Sequence, residues 1–305
     1  MLAYSPPRPP SRREGGVLVT TFAILLAGAC ADGGEDAIGG GGASTTSSGG
    51  GTSAQGGDGQ GGSFTTGSSM GGGTPGISEV FGHSKSTLYK LNPDTKDVGI
   101  VGNFSGCQDV LDIALDASST LFATTSDGLY RVDRASAVCT LVASGDYPNS
   151  LSFVPAGTLD PSTEALVGFV DDQYVRIDPM TGAIQNIGAP WSNGFVSSGD
   201  VVSVKDGPTY LTIKDADSGQ NQCNDCLVEI DPATGDILKS YTNLGFDRVF
   251  GTAFWAGSVY GFTTEGELFE VTIENGSLTT TLIDTPQGLS FWGAGSTTSA
   301  PPVPQ

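Results

Sequence analysis

Five ten-residue segments repeat one order of apolar and polar positions. They read TLYKLNPDTK from Thr87, GLYRVDRASA from Gly128, QYVRIDPMTG from Gln173, CLVEIDPATG from Cys226 and ELFEVTIENG from Glu267. The second position is Leu88, Leu129, Tyr174, Leu227 and Leu268. The third is Tyr89, Tyr130, Val175, Val228 and Phe269. The fourth is charged in every copy (Lys90, Arg131, Arg176, Glu229, Glu270) and the fifth is aliphatic. Aliphatic and aromatic residues in this density predict a strand. The Asn/Asp-Pro-x-Thr-Gly half predicts a turn: Pro presets φ, the Asn or Asp side chain caps nearby backbone, and Gly takes a positive φ. A second strand follows each turn, as in VGIVGN, CTLVAS and LTTTLI.

Two more strands precede each hairpin, for example VLDIALD and TLFATTS before the second copy. The copies start 41, 45, 53 and 41 residues apart. Four strands in about 45 residues are the pattern of a β-propeller blade. Adjacent apolar pairs such as Phe254-Trp255 fit inner strands buried on both faces. The first unit lacks a strand, because only ISEVFGHS precedes its hairpin. The missing strand is GLSFWGAGS, Gly288 to Ser296, which matches GTAFWAGS of the fifth unit. The expected fold is therefore all-β: a propeller of five four-stranded blades, closed by the C-terminal strand completing the first blade, which removes open strand edges. The alternative is a six-bladed ring with a degenerate blade in the longer fourth unit.

The repeats resemble those of bacterial extracytoplasmic propellers of the quinoprotein-like and YVTN-type superfamily. The resemblance is best kept at Ile177–Gly182 and Ile230–Gly235 and covers about three quarters of the chain. It implies architecture. That superfamily hosts dehydrogenases, lactonases and scaffolds, so no activity is carried over with it.

The N-terminal 29 residues read as an address. Arg8, Arg12 and Arg13 precede an apolar run of 13 residues, Val17 to Ala29. That is shorter than the roughly 20 residues of a spanning helix and has the layout of a secretory signal. Leu26-Ala27-Gly28-Ala29-Cys30 resembles the bacterial lipobox, which implies a signal peptide over 1–29 and an acylated Cys30. Ala31 is not the Asp that retains lipoproteins at the inner membrane, so the resemblance implies the outer membrane or cell surface. Residues 30–76 form a tether rich in Gly, Ser and Thr, with 19 glycines between Gly33 and Gly76. Such a stretch cannot offset its ordering entropy and is expected to be disordered, spanning about 35–40 Å end to end. The propeller is expected over 77–296 and a disordered tail over 297–305.

Composition narrows the function. The formal charge of the chain is −20, and 28 acidic residues against ten basic ones lie beyond residue 76. This excludes nucleic acid as a partner, because phosphate neutralisation needs basic surface. The single histidine, His83, excludes multi-histidine metal sites and is expected at the surface. Beyond Cys30 the cysteines are Cys107, Cys139, Cys223 and Cys226, an even number suited to disulfides; Cys107–Cys139 and Cys223–Cys226 are the favoured pairs. Asp215, Asp217 and Asn221 alternate as calcium ligands do, which makes calcium a possible cofactor. Asp109, Asp112 and Asp116 flank one inner strand, and Asp200 and Asp206 another; as a group they read as solvated turn residues. Trp255 and Trp292 read as core, and Trp191 in APWSNG as a possible ligand contact. The expected function is a lipid-anchored, non-catalytic propeller that binds a glycan or an envelope protein. The rival is an extracytoplasmic hydrolase of glycans or lactones that uses channel carboxylates.

Overall fold

The structure, a computed structural model, describes residues 78–217 and 223–304. Cys30, the signal and the tether lie outside the described residues, as does Asn221. The described residues contain no helix. In chain order the strands are β1 (Val80–His83), β2 (Thr87–Leu91) and β3 (Val98–Asn103); then β4 (Asp112–Leu115), β5 (Leu121–Thr124), β6 (Gly128–Val132) and β7 (Cys139–Ser144). These are followed by β8 (Leu151–Val154), β9 (Ala165–Val170), β10 (Gln173–Ile177) and β11 (Ile184–Asn186). Next come β12 (Phe195–Ser203), β13 (Thr209–Asp215), β14 (Cys226–Ile230) and β15 (Ile237–Asn243). The last are β16 (Val249–Trp255), β17 (Ser258–Thr263), β18 (Leu268–Glu274), β19 (Ser277–Ile283) and β20 (Gly293–Ser296).

Each group of four forms one antiparallel sheet. β20 joins the first of them, in the order β20-β1-β2-β3. Val80 faces Ser296 and His83 faces Gly293 across that seam. The five sheets are five blades, and their innermost strands neighbour one another in the ring β20, β4, β8, β12, β16. The six-bladed alternative is ruled out. Burial falls off radially. β4 and β5 are buried throughout, whereas β11 is exposed along its length. The second repeat position (Leu88, Leu129, Tyr174, Leu227, Leu268) is buried in every blade, because it packs between neighbouring sheets. Exposing any of these side chains would cost about 1.5–3 kcal/mol.

The repeat turns form as their residues dictate. Asp133, Asp178 and Asp231 each accept backbone N–H groups two or three residues on. The closing slot has positive φ in Gly182 and Gly235, at 72° and 79°. Lys96 and Ala137 occupy the same slot with φ of 66° and 59°, so two blades hold a non-glycine residue in the left-handed region.

Two disulfides reinforce the ring. Cys107, in the connection between blades 1 and 2, is bonded to Cys139 on β7. Cys223 is bonded to Cys226 within the β13–β14 loop. The Cα atoms are 5.6 Å apart in each pair, inside the reach of a disulfide.

The expectation of a disordered 297–305 is corrected for residues 297–304. Thr297, Thr298 and Ala300 are buried. The segment crosses one end of the ring and touches every blade. Thr297 exchanges hydrogen bonds with Glu79, the Ser299 hydroxyl donates to the carbonyl of Ala117, and the Thr298 hydroxyl donates to Glu164. Lys205 N–H donates to the Thr298 carbonyl, and Pro304 lies against Gly257. A polar composition suggested fraying, but the hydroxyls and carbonyls of this segment satisfy loop ends that would otherwise lack partners.

Candidate functional site

The chemistry-bearing side chains of the inner strands meet at the propeller axis. Strand register places Gly293 opposite His83, Asp112 opposite Thr124 and Gly251 opposite Phe262. One residue before Leu151 and Val201 in their ladders stand Ser150 and Asp200. These five positions, one per blade, form a layer around the axis: Gly293, Asp112, Ser150, Asp200 and Gly251. Two of the five are glycines, and both stand in tight contact with neighbouring blades. A Cβ on Gly251 would stand 2.6 Å from the backbone of Gly293, and one on Gly293 would overlap both His83 Nε2 and Asp112 Oδ1.

Each carboxyl ties its blade to the next. Asp112 accepts the N–H of Ile113 at 2.8 Å and, across the blade boundary, that of Leu151 at 2.7 Å. Asp200 accepts the N–H of Thr252 on blade 5 at 2.8 Å, and the Ser296 hydroxyl of blade 1 accepts that of Phe254 at 3.0 Å. Both aspartates are 0% exposed. Burial raises the pKa of each well above the usual carboxylate value, and for Asp112 the facing charge of Asp200 adds to the rise. Burial thus favours the protonated over the charged form of each. Among the described residues Asp200 Oδ1 finds no N–H or O–H donor.

His83, on β1, is also 0% exposed. Its Nδ1 lies 2.9 Å from the Ser84 carbonyl, so that nitrogen carries the hydrogen and Nε2 is a bare acceptor 4.0 Å from Asp112 Oδ1. Burial lowers its pKa to about 4, so it is neutral at physiological pH. The surface position expected for His83 is corrected, as is the solvated-turn reading of Asp112 and Asp200. Asp109 and Asp206 are exposed and Asp116 is half-buried in a turn. A sequence signal for the pair did exist: each is an acid inside an otherwise apolar inner strand, LDIAL and GDVVSV.

The tryptophans exchange roles. Trp191 is half-buried, packs on Phe169 at 5.0 Å and donates its indole N–H to the Gly235 carbonyl at 3.0 Å, so it joins blades 3 and 4. Trp292, expected in the core, is half-exposed with Lys85 Nζ 4.1 Å over its ring. Trp255 is likewise half-buried. Asp215 ends β13 and its Oδ2 accepts the Cys223 N–H at 3.3 Å. Among the described residues no three His, Cys, Asp or Glu side chains are grouped to hold a metal ion.

Both carboxyls of the axial pair are shielded from solvent. An open cleft of about 690 Å³ lies elsewhere, at the end of blade 2, between the β4–β5 loop and the β6–β7 turn. Arg131, Arg134, Asp133 and several hydroxyls line it. Beside it Glu79, at 7% exposure, is held by Lys90 Nζ and Arg134 Nη1, each at 2.6 Å.

No protein-family model and no curated protein matches the chain. Solved structures do. The WD40 β-propeller domain of Doa1 is 15% identical over 72% of this chain and 83% of its own, with a TM-score of 0.40. A protein of unknown function from Bacteroides caccae is 14% identical over 70% of this chain and 76% of its own, with a TM-score of 0.38. BamB from Moraxella catarrhalis is 17% identical over 68% of this chain and 61% of its own, with a TM-score of 0.32. At these identities the likeness is one of fold alone, and the chain's own five sheets already define that fold as a β-propeller.

Proposed function

We propose that the chain is a lipid-anchored, non-catalytic propeller of the bacterial cell envelope that binds a glycan or a protein partner. The observation that carries this reading is the sealed axis. A glycosidase needs two carboxyls about 5–9.5 Å apart, flanking a bond that substrate brings between them. Asp112 and Asp200 instead take backbone N–H groups from neighbouring blades, lie close enough to influence each other's charge and are shielded from solvent. Their role is to brace the ring. The anchor rests on the lipobox-like residues before Cys30, and acyl chains there would hold the protein firmly, at about 0.8 kcal/mol per buried methylene.

The rival reading, hydrolysis of glycans or lactones, has one observation in its favour: two carboxyls with raised pKa in a single layer. One experiment separates the two. Incubation with a glycan and lactone panel should give retention of a ligand without products. Turnover abolished by Asp200→Asn would overturn the binding reading. Lipid labelling of the expressed protein should disappear in Cys30→Ser; labelling that persists would remove the anchor.

A further inference from the structure

We infer that the cleft at the end of blade 2 is a binding site for a uronic-acid unit of an acidic saccharide. The inference rests on the binding reading and names its site and ligand class. The propeller carries ten basic residues against 28 acidic ones, yet two of its guanidiniums, Arg131 and Arg134, line this one cleft. Arg131 stands at the charged repeat position, paired in register with Thr140 on β7. Its counterparts Lys90 and Glu270 in other blades are engaged in ion pairs. Among the described residues no carboxylate lies within ion-pair distance of Arg131, in a chain where acids outnumber bases. Arg134 gives one terminal nitrogen to Glu79 and keeps further N–H donors.

The neighbouring acids are engaged by other groups and leave Arg131 without an ion pair. Asp133, which also lines the cleft, turns back to accept the N–H groups of Ala135 and Ser136 and the Ser136 hydroxyl. Asp116 likewise accepts the N–H groups of Ser118 and Thr120. Glu79 is shared by Lys90 and Arg134. The free guanidinium therefore faces a cleft rimmed by the hydroxyls of Ser118, Thr120, Ser136 and Thr140.

That combination selects a ligand class. A guanidinium fork matches a planar carboxylate through two parallel hydrogen bonds. Ser and Thr hydroxyls donate and accept, as the hydroxyls of a sugar require. The volume of about 690 Å³ lies in the range of small-molecule sites. The apolar lining is confined to Leu121, Val132 and Val138, too little to select a hydrophobic acid. A carboxylate on a polyol satisfies both halves of the cleft. An inorganic oxyanion would satisfy only the first.

The test is calorimetric titration of the full chain with glucuronate and galacturonate, beside glucose, acetate and sulfate. Both uronates should bind, with glucose, acetate and sulfate at least tenfold weaker. Arg131→Gln, at an exposed position that leaves the fold intact, should weaken the uronates about 10- to 100-fold, the usual cost of losing a charged hydrogen-bond pair. Arg176→Gln, the matching residue of blade 3, should leave binding unchanged. Absence of uronate binding, or binding indifferent to Arg131→Gln, would overturn the site. Sulfate or acetate binding as tightly as the uronates would overturn the saccharide assignment. Either failure leaves the binding reading standing if the ligand panel still shows retention without turnover, so the two are told apart.

Discussion

Replacing His83 by Asn tests the sealed axis through its pH dependence. An Asn amide can keep the hydrogen bond to the Ser84 carbonyl while removing Nε2 and the titration. The folded pKa of His83 is about 4 against 6.5 for a free imidazole, and burial is the cause. The folded state thus refuses a proton that the unfolded chain takes up between pH 6.5 and 4. Stability from neutral His83 is complete above pH 6.5 and is lost as pH falls through that window. The gap of roughly 2.5 pH units, at about 1.4 kcal/mol each, amounts to about 3 kcal/mol. The Asp112–Asp200 pair acts with the opposite sign. Its folded pKa values are raised, so it favours the folded state more as pH falls toward the ordinary carboxylate value. That contribution is present in both proteins and largely cancels in their difference, as does any cavity left by the smaller side chain. The assay is urea unfolding of the native protein and His83→Asn at half-unit steps from pH 4 to 8. Their stability difference should be level above pH 7 and move against the native protein by about 3 kcal/mol on reaching pH 4. A difference that stays level throughout would mean His83 titrates alike in the folded and unfolded states, and the buried axis would be refuted.

Three further outcomes follow from the same geometry. Asp200→Asn should gain about 1–3 kcal/mol at pH 8, because an amide accepts from Thr252 without placing a charge in the buried axis; denaturation should show the gain shrinking toward pH 4, and a loss at pH 8 would contradict burial as the cause of the raised carboxyl pKa. Ala137→Gly should change stability by less than about 1 kcal/mol, because relief of a left-handed residue is offset by the extra unfolded-chain entropy of glycine and by the loss of a buried methyl; a larger shift in melting temperature would contradict that balance. Ending the chain at Ser296 should cost about 2–4 kcal/mol, since at least three inter-segment hydrogen bonds and the burial of Ala300 are lost; unchanged thermal unfolding would show that the C-terminal segment is not a brace.

The blades were legible in the chain because their causes are local. The buried second repeat position and the Asp-Pro-x-Thr-Gly turn are set by residues within ten positions of each other, and the likeness of GLSFWGAGS to GTAFWAGS pointed to the closing strand. The axial layer was not legible, because its cause is not local. Asp112 packs against Gly293, 181 residues away, where a side chain would overlap its Oδ1. Each acid stands out within its own inner strand, but no single repeat shows that the two meet at the axis. The contact of Trp191 with the next blade was hidden for a related reason: its loop shows no partner until the Gly235 carbonyl arrives to take its indole N–H. The polar composition of 297–304 hid a segment whose partners lie on all five blades.

Whether water reaches the carboxyls separates a braced ring from a reaction site. The direct measurement is native-state hydrogen exchange at the amides of Leu151 and Thr252, which donate to Asp112 and Asp200. A sealed axis predicts that both exchange only with global unfolding, at the full free energy of the protein. Exchange of either amide within minutes at neutral pH, while β5 and β17 remain protected, would show an open axis and contradict the account.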